Sequence, residues 1–262
     1  MLAFIHIPKT AGTTLHKILF HQYKRIFVRH DTDGAPDERL ASVIRQNKTQ
    51  VIIGHFSANM HTLIPSIRYI TCLREPVARI KSHYHHALND PAHYLHHAIK
   101  SEKMDLATYV SSGLSGELNN GMTRMIAGID NFHHSQVNEE TLARAKHNIE
   151  TNFDGVILSE EFDSGLMLLA DSLKWKTPYY LRRKVGRYPS STNKGSKSAY
   201  NIIREHNRFD CELYEWAKQR LKHQQSLTEN LNARITCFQK HNRIKGKVVF
   251  CLRELRCRLH AP

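Results

Sequence analysis

Short apolar runs that alternate with segments of helical period constrain this chain's fold most. Ala3-Phe4-Ile5-His6-Ile7, Val51-Ile52-Ile53, Ile67 to Leu73 and Phe153 to Leu158 read as strands. After Gly12, Leu15, Ile18 and Leu19 recur at helical spacing, and a polar helix is expected over Asp37 to Asn47. Pro76 stands at a first helical position behind the third strand. From Pro76 to about Glu150 the pattern is mostly helical, with turns near Asn89-Asp90-Pro91, Ser111-Ser112-Gly113 and Asn131 to Gln136. Further helices are expected over Glu160 to Leu173 and Tyr200 to Lys222. Strands that alternate with helices make an α/β fold with a central parallel sheet flanked by helices. Arg182 to Ser198, rich in basic residues, Ser, Gly and Pro, reads as a long surface loop, and loops of that length usually serve a site.

At 262 residues and 40% hydrophobic, the chain can bury one sizeable core. The expected division is one globular domain over 1–224 and a basic tail over 225–262, helical or partly disordered. That tail carries eight lysines and arginines against two glutamates. Over the whole chain 38 basic residues face 24 acidic ones, a formal charge of +14. Anionic partners are therefore favoured, whether nucleic acid, membrane phosphate, sulfated glycan or a nucleotide. Five cysteines without a CxxC pair argue against a disulfide framework or a zinc knuckle. No apolar stretch has the length of a signal core or a membrane span, so the chain as written reads as cytoplasmic.

The loop after the first strand has the design of an anion site. Where a strand turns into a helix, unpaired backbone N–H groups and the positive end of the helix dipole converge. In His6-Ile7-Pro8-Lys9-Thr10-Ala11-Gly12-Thr13-Thr14, Gly12 permits close backbone approach and Lys9 brings a mobile charge. Thr10, Thr13 and Thr14 add hydroxyl donors. A nucleotide kinase uses GxxxxGK[ST], with the lysine after the second glycine, whereas here Lys9 precedes the loop's one glycine. Magnesium-dependent NTPases also set an acidic residue at a strand end, where this chain has Gly54-His55 and Arg74. An anion site without a metal is expected. Arg74 offers a planar fork to a phosphate, Ser82 a hydroxyl from the following helix, and Arg79 lies three residues before Ser82 on the same helical face. His55, at the end of the second run, suits a general base. His93 and His97 have i, i+4 spacing without the glutamate of HExxH and read as a surface helix.

The string Pro8-Lys9-Thr10-Ala11-Gly12-Thr13-Thr14 resembles the 5′-phosphosulfate loop of the sulfotransferases that use 3′-phosphoadenosine 5′-phosphosulfate (PAPS). It looks most like the carbohydrate group that includes heparan sulfate 2-O-sulfotransferase. Arg74 to Ser82 is similar to that family's 3′-phosphate motif. Weaker resemblance continues through Asn119 to Gly128, Leu158 to Phe162 and Asp210 to Tyr214.

The resemblance implies a P-loop-type fold, PAPS as donor without a metal, and a carbohydrate or other hydroxyl acceptor. It implies a catalytic role for His55, and the charge of Lys9 suits it to stabilise the leaving group. The cofactor would be held by Lys9, Thr10, Ala11, Gly12, Thr13, Thr14, Arg74, Ser82 and Arg79, with Thr192 and Lys194 as late 3′-phosphate contacts. The 2-O group often shows two histidines where this chain has His55 followed by Phe56 and Ser57. Asn119, Asn120 and Arg124 are balanced between site contacts and helix braces. A Golgi lumen is implied if an upstream anchor exists. A P-loop kinase-like phosphotransferase and a non-enzymatic polyanion-binding module remain as alternatives, the basic tail offering a surface to anionic glycan or membrane. No specific nucleic acid is expected.

Overall fold

The computed structural model describes residues 1–29, 37–129, 137–181 and 197–259. The parallel sheet forms as expected from β1 (Leu2–Ile5), β3 (Val51–Gly54), β4 (Arg68–Leu73) and β5 (Phe153–Leu158). A further strand, β2 (Ile26–Val28), joins them, giving the order β2-β3-β1-β4-β5 with every neighbouring pair parallel. Ile5 pairs with Gly54 on one side and Thr71 on the other, so β3, β1 and β4 end side by side.

Alternation along β1 divides the core in two. Ala3 and Ile5 face one layer, packed under α2 (Glu38–Gln46), α6 (Gly121–Ile126), α7 (Glu139–Asn152) and α10 (Arg208–Leu227). Leu2 and Phe4 face the other, under α1 (Gly12–Gln22), α8 (Phe162–Ser172) and α11 (Leu231–Leu259). Both faces are thus covered, as a parallel sheet requires. A third apolar cluster joins α3 (Pro76–Asn89), α4 (His96–Ser101), α5 (Leu106–Ser111) and α9 (Lys197–His206), with Ile80, Tyr109 and Ile203 at its centre.

Local chemistry sets the element ends. Pro76 opens α3, and the Glu75 carboxylate accepts from the Val77 and Ala78 amides, satisfying donors that a helix start leaves unpaired. The single helix expected over Tyr200 to Lys222 is two, because buried Asn207 turns its side chain to other partners. Its amide donates to the Leu118 carbonyl and its oxygen accepts from the Asn120 amide. α10 runs past the boundary expected at 224, to Leu227. Leu231 and Phe238 of α11 are buried, Phe238 against Tyr180. The first part of the basic tail therefore belongs to the folded domain.

Candidate active site

The carboxyl ends of β3, β1 and β4 open into one cleft of about 600 Å³. His55 follows β3, the Lys9–Thr14 loop follows β1 and Arg74 follows β4, so sheet order alone makes these segments neighbours. Lys9, Ala11, Gly12, Thr13, Thr14, His55, Arg74 and Ser82 all line the cleft. Open α/β sheets bind ligands at this end of their strands.

The loop reaches its shape through two non-glycine residues with positive φ, Lys9 at 68° and Ala11 at 70°. Such conformations cost about 1–3 kcal/mol each and collect at functional sites. Ala11 is the N-cap of α1 and supplies no side-chain cap, so the Gly12 and Thr13 amides stay open to an anion, while the Thr14 amide donates to the Ala11 carbonyl at 3.0 Å. Gly12 is required by a close approach: a Cβ there would stand 2.0 Å from His6 Cδ2. Arg74 Nη1 donates to the Lys9 carbonyl at 3.2 Å, which ties the β4 motif to the loop.

Two residues expected to contact the cofactor do not line the cleft. Thr10 is fully buried, and its hydroxyl donates inward to the Ile7 carbonyl at 2.8 Å, so its side chain braces the loop and only its backbone remains for an anion. Arg79 is also fully buried and does not line the cleft. Its Nη2 donates to the Glu117 carbonyl at 2.6 Å and lies 3.5 Å from Asp210 Oδ2. The helical face it shares with Ser82 points into the protein at that turn. Thr192 and Lys194 lie outside the described residues.

His55 is exposed to the cleft, and its ring stacks on His6 at 4.6 Å between centroids. His6 lies against Phe4 on its other side, at 5.4 Å. Burial first, then the neighbouring His55 and His16, push the His6 pKa down to about 3, so this ring stays a neutral shelf for His55.

The opposite wall was not visible in the sequence. It carries His83 and His86 from α3, His93 and Tyr94 from the turn before α4, and Glu117 from a 3₁₀ turn at Gly116–Leu118. His93 and His97 do not share a helix: His93 sits in the turn and lines the cleft, while His97 is exposed on α4. Burial, then His83 and His86, lower the His93 pKa to about 4. Among the described residues, no group of three His, Cys, Asp or Glu side chains is placed to hold a metal ion.

The remaining candidates brace the fold. Asn120 Oδ1 accepts from the Phe209 and Asp210 amides, and Arg124 Nε donates to the Asn119 carbonyl. Asp210 in turn accepts from the Met122 and Thr123 amides at the start of α6. This buried polar knot supports the cleft from behind. The arrangement as a whole can hold a phosphate-type anion on backbone amides, Lys9 and Arg74, with a histidine base facing it.

Residues 1–236 match the family described as galactose-3-O-sulfotransferase. No curated protein matches the chain. Among solved structures, a mouse sulfotransferase crystallised with PAP matches over 82% of this chain and 88% of that one, at 14% identity and a TM-score of 0.31.

Proposed function

This chain belongs to the galactose-3-O-sulfotransferase family, and we propose that it sulfates a hydroxyl of a galactose unit with the cleft residues in the roles that follow. It is a PAPS-dependent sulfotransferase built on a five-stranded parallel sheet flanked by helices. The observation that carries the assignment of roles is the convergence of His55, the Lys9–Thr14 loop, Arg74 and Ser82 on one cleft from three adjacent strand ends.

PAPS supplies the activated sulfuryl group. The amides of Ala11 to Thr13 and the hydroxyls of Thr13 and Thr14 hold the 5′-phosphosulfate in line for displacement. Arg74 and Ser82 hold the 3′-phosphate. A ring nitrogen of His55 takes the proton from the acceptor hydroxyl as its oxygen bonds to sulfur. The sulfur–oxygen bond to the phosphate breaks in the same displacement, and Lys9 stabilises the charge that collects on that phosphate oxygen as 3′,5′-ADP forms. Positioning and fixed donors do much of the work, because the loop geometry is set before substrates arrive.

Calorimetry tests the donor half of this reading. Bound 3′,5′-ADP should be favoured over 5′-AMP, and Arg74→Ala should remove about 1.5–3 kcal/mol of that preference, the scale of a hydrogen bond to a charged group. Equal affinity for the two nucleotides in the wild type would remove the support for Arg74.

The basic end of α11 is the segment we assign to an anionic glycan or membrane surface. Leu231 and Phe238 anchor the start of that helix, so the informative truncation falls after residue 246. It removes four of the tail's eight basic residues. Retention on heparin should weaken while 3′,5′-ADP affinity holds. Unchanged retention would place the polyanion surface elsewhere. No described helix is long and apolar enough to cross a membrane.

A further inference from the structure

The wall facing the donor loop contains a hydrogen-bonded chain that the roles above leave unused. The Tyr109 hydroxyl lies 2.7 Å from His83 Nδ1, and His83 Nε2 lies 2.7 Å from Glu117 Oε2. Tyr109 and His83 are buried. Burial alone would raise the Glu117 pKa, but the bond from His83 and the charges of His83, Arg79 and His55 outweigh it and hold the carboxyl at about 2. An ionised carboxylate can only accept, so His83 Nε2 carries a proton and donates it. His83 Nδ1 meets the Tyr109 hydroxyl, so the chain links Tyr109 through His83 to Glu117. The backbone is fixed as well, since Arg79 donates to the Glu117 carbonyl.

One oxygen of this carboxylate stays open. His83 and the Tyr94 hydroxyl, at 3.2 Å, both meet Oε2. Among the described residues Oε1 has no hydrogen-bond partner, and it is not a buried atom. A fixed negative oxygen in a cleft that also holds Lys9 and Arg74 repels phosphate and sulfate, so it does not serve the donor. It suits a hydroxyl. Beside it, His93 stacks on Tyr94 at 4.8 Å and 20°, and Tyr94 is 61% exposed, which places an aromatic ring at the cleft mouth. Such a ring has an apolar body that a sugar's C–H groups can cover.

We propose that Glu117 grips the acceptor: its open carboxylate oxygen accepts a hydrogen bond from a hydroxyl of the acceptor sugar next to the one that reacts. Tyr109 and His83 are positioning residues that aim it. This rests on the sulfotransferase reading above and adds to it the residue that selects for a hydroxyl at that point.

The test compares wild type, Glu117→Gln and Tyr109→Phe full-length chains. Sulfate transfer from radiolabelled PAPS is measured on a β-galactoside and on its singly deoxygenated analogues, with 3′,5′-ADP affinity and melting temperature taken alongside. In the wild type, removing one non-reacting hydroxyl should raise the acceptor KM about tenfold or more, because a site built to bond a hydroxyl rejects the analogue lacking it. Glu117→Gln should raise KM for the parent sugar to a similar degree, with a smaller change in kcat, and should become indifferent to that one deoxygenation. Affinity for 3′,5′-ADP should stay level or tighten as a negative charge leaves the cleft. Tyr109→Phe should show the same signature, weaker. An unchanged acceptor KM in Glu117→Gln, or weakened 3′,5′-ADP binding, would overturn the role of Glu117 alone. So would a wild type indifferent to every deoxygenated analogue, a result readable even if Glu117→Gln does not fold. A wild type that binds 3′,5′-ADP yet sulfates no galactoside would overturn the acceptor reading beneath it.

Discussion

Replacing Gly12 with alanine sets two effects of known sign against each other. Gly12 opens α1 without a left-handed φ, so its backbone accepts a side chain. Helix propensity then predicts stabilisation by about 0.5–1 kcal/mol. The structure predicts the reverse. The new Cβ would stand 2.0 Å from His6 Cδ2 and 2.2 Å from Nε2, distances that no real contact shows. His6 cannot turn aside easily, because Phe4 and His55 stack on its two faces and His16 meets it edge-on at 6.5 Å. Overpacking of this kind costs about 1–3 kcal/mol. Subtracting the propensity gain leaves a net loss of up to about 2.5 kcal/mol, or a melting temperature lower by a few degrees for a domain of this size. Either the ring or the loop must move, so 3′,5′-ADP affinity should drop about tenfold. Removing the ring should relieve the clash, and a cycle of Gly12→Ala, His6→Ala and the double variant should show coupling of about 1 kcal/mol or more. Thermal melts and calorimetry read all four proteins. A Gly12→Ala variant that melts higher and binds 3′,5′-ADP as before would refute the account of why glycine stands there.

His55→Ala should lower turnover by roughly 10²–10⁴-fold, the range for losing a general base, while 3′,5′-ADP affinity and melting temperature stay near wild type. Loss of binding and stability together would make His55 a scaffold residue. Acid should destabilise the fold through His6 and His93, whose pKa values are held at about 3 and about 4, below the ordinary 6.5. Stability is then full above pH 6.5, where neither state is protonated. It falls as pH drops below that value, because the unfolded chain takes up protons that the native rings refuse. Melts between pH 7 and 4 should show this decline, with a shallower slope in His6→Ala, and a flat profile would contradict it.

The sheet and the donor loop were legible because their signals are local. Apolar runs that end at Pro8, Gly54 and Arg74 mark strand ends, and the turn from β1 into α1 is contiguous in the chain. β2 was not legible, since Ile26–Val28 is three half-buried residues with no alternation to read. The break at Asn207 depends on bonds to Leu118 and Asn120, nearly ninety residues away, which no local pattern announces. The burial of Arg79 and Thr10 was not legible for a related reason. Their residue types suit an anion, but burial by Asp210, Glu117 and Ile7 decides where their polar atoms go. The cleft wall that carries Glu117 was hidden most fully. His83, His93 and Glu117 come from three segments that meet only through the packing of α3, α4 and α5, and the cue available in the sequence was the local density of histidines around α3.

The most direct measurement of the central claim is transfer itself: the full chain, radiolabelled PAPS and a terminal β-galactoside, with labelled product and released 3′,5′-ADP followed together. The account predicts label on the galactose 3-hydroxyl in equal amount to 3′,5′-ADP, and loss of both in the Lys9→Ala variant. Magnesium-dependent ATP turnover without any sulfated product would contradict it and favour the kinase alternative.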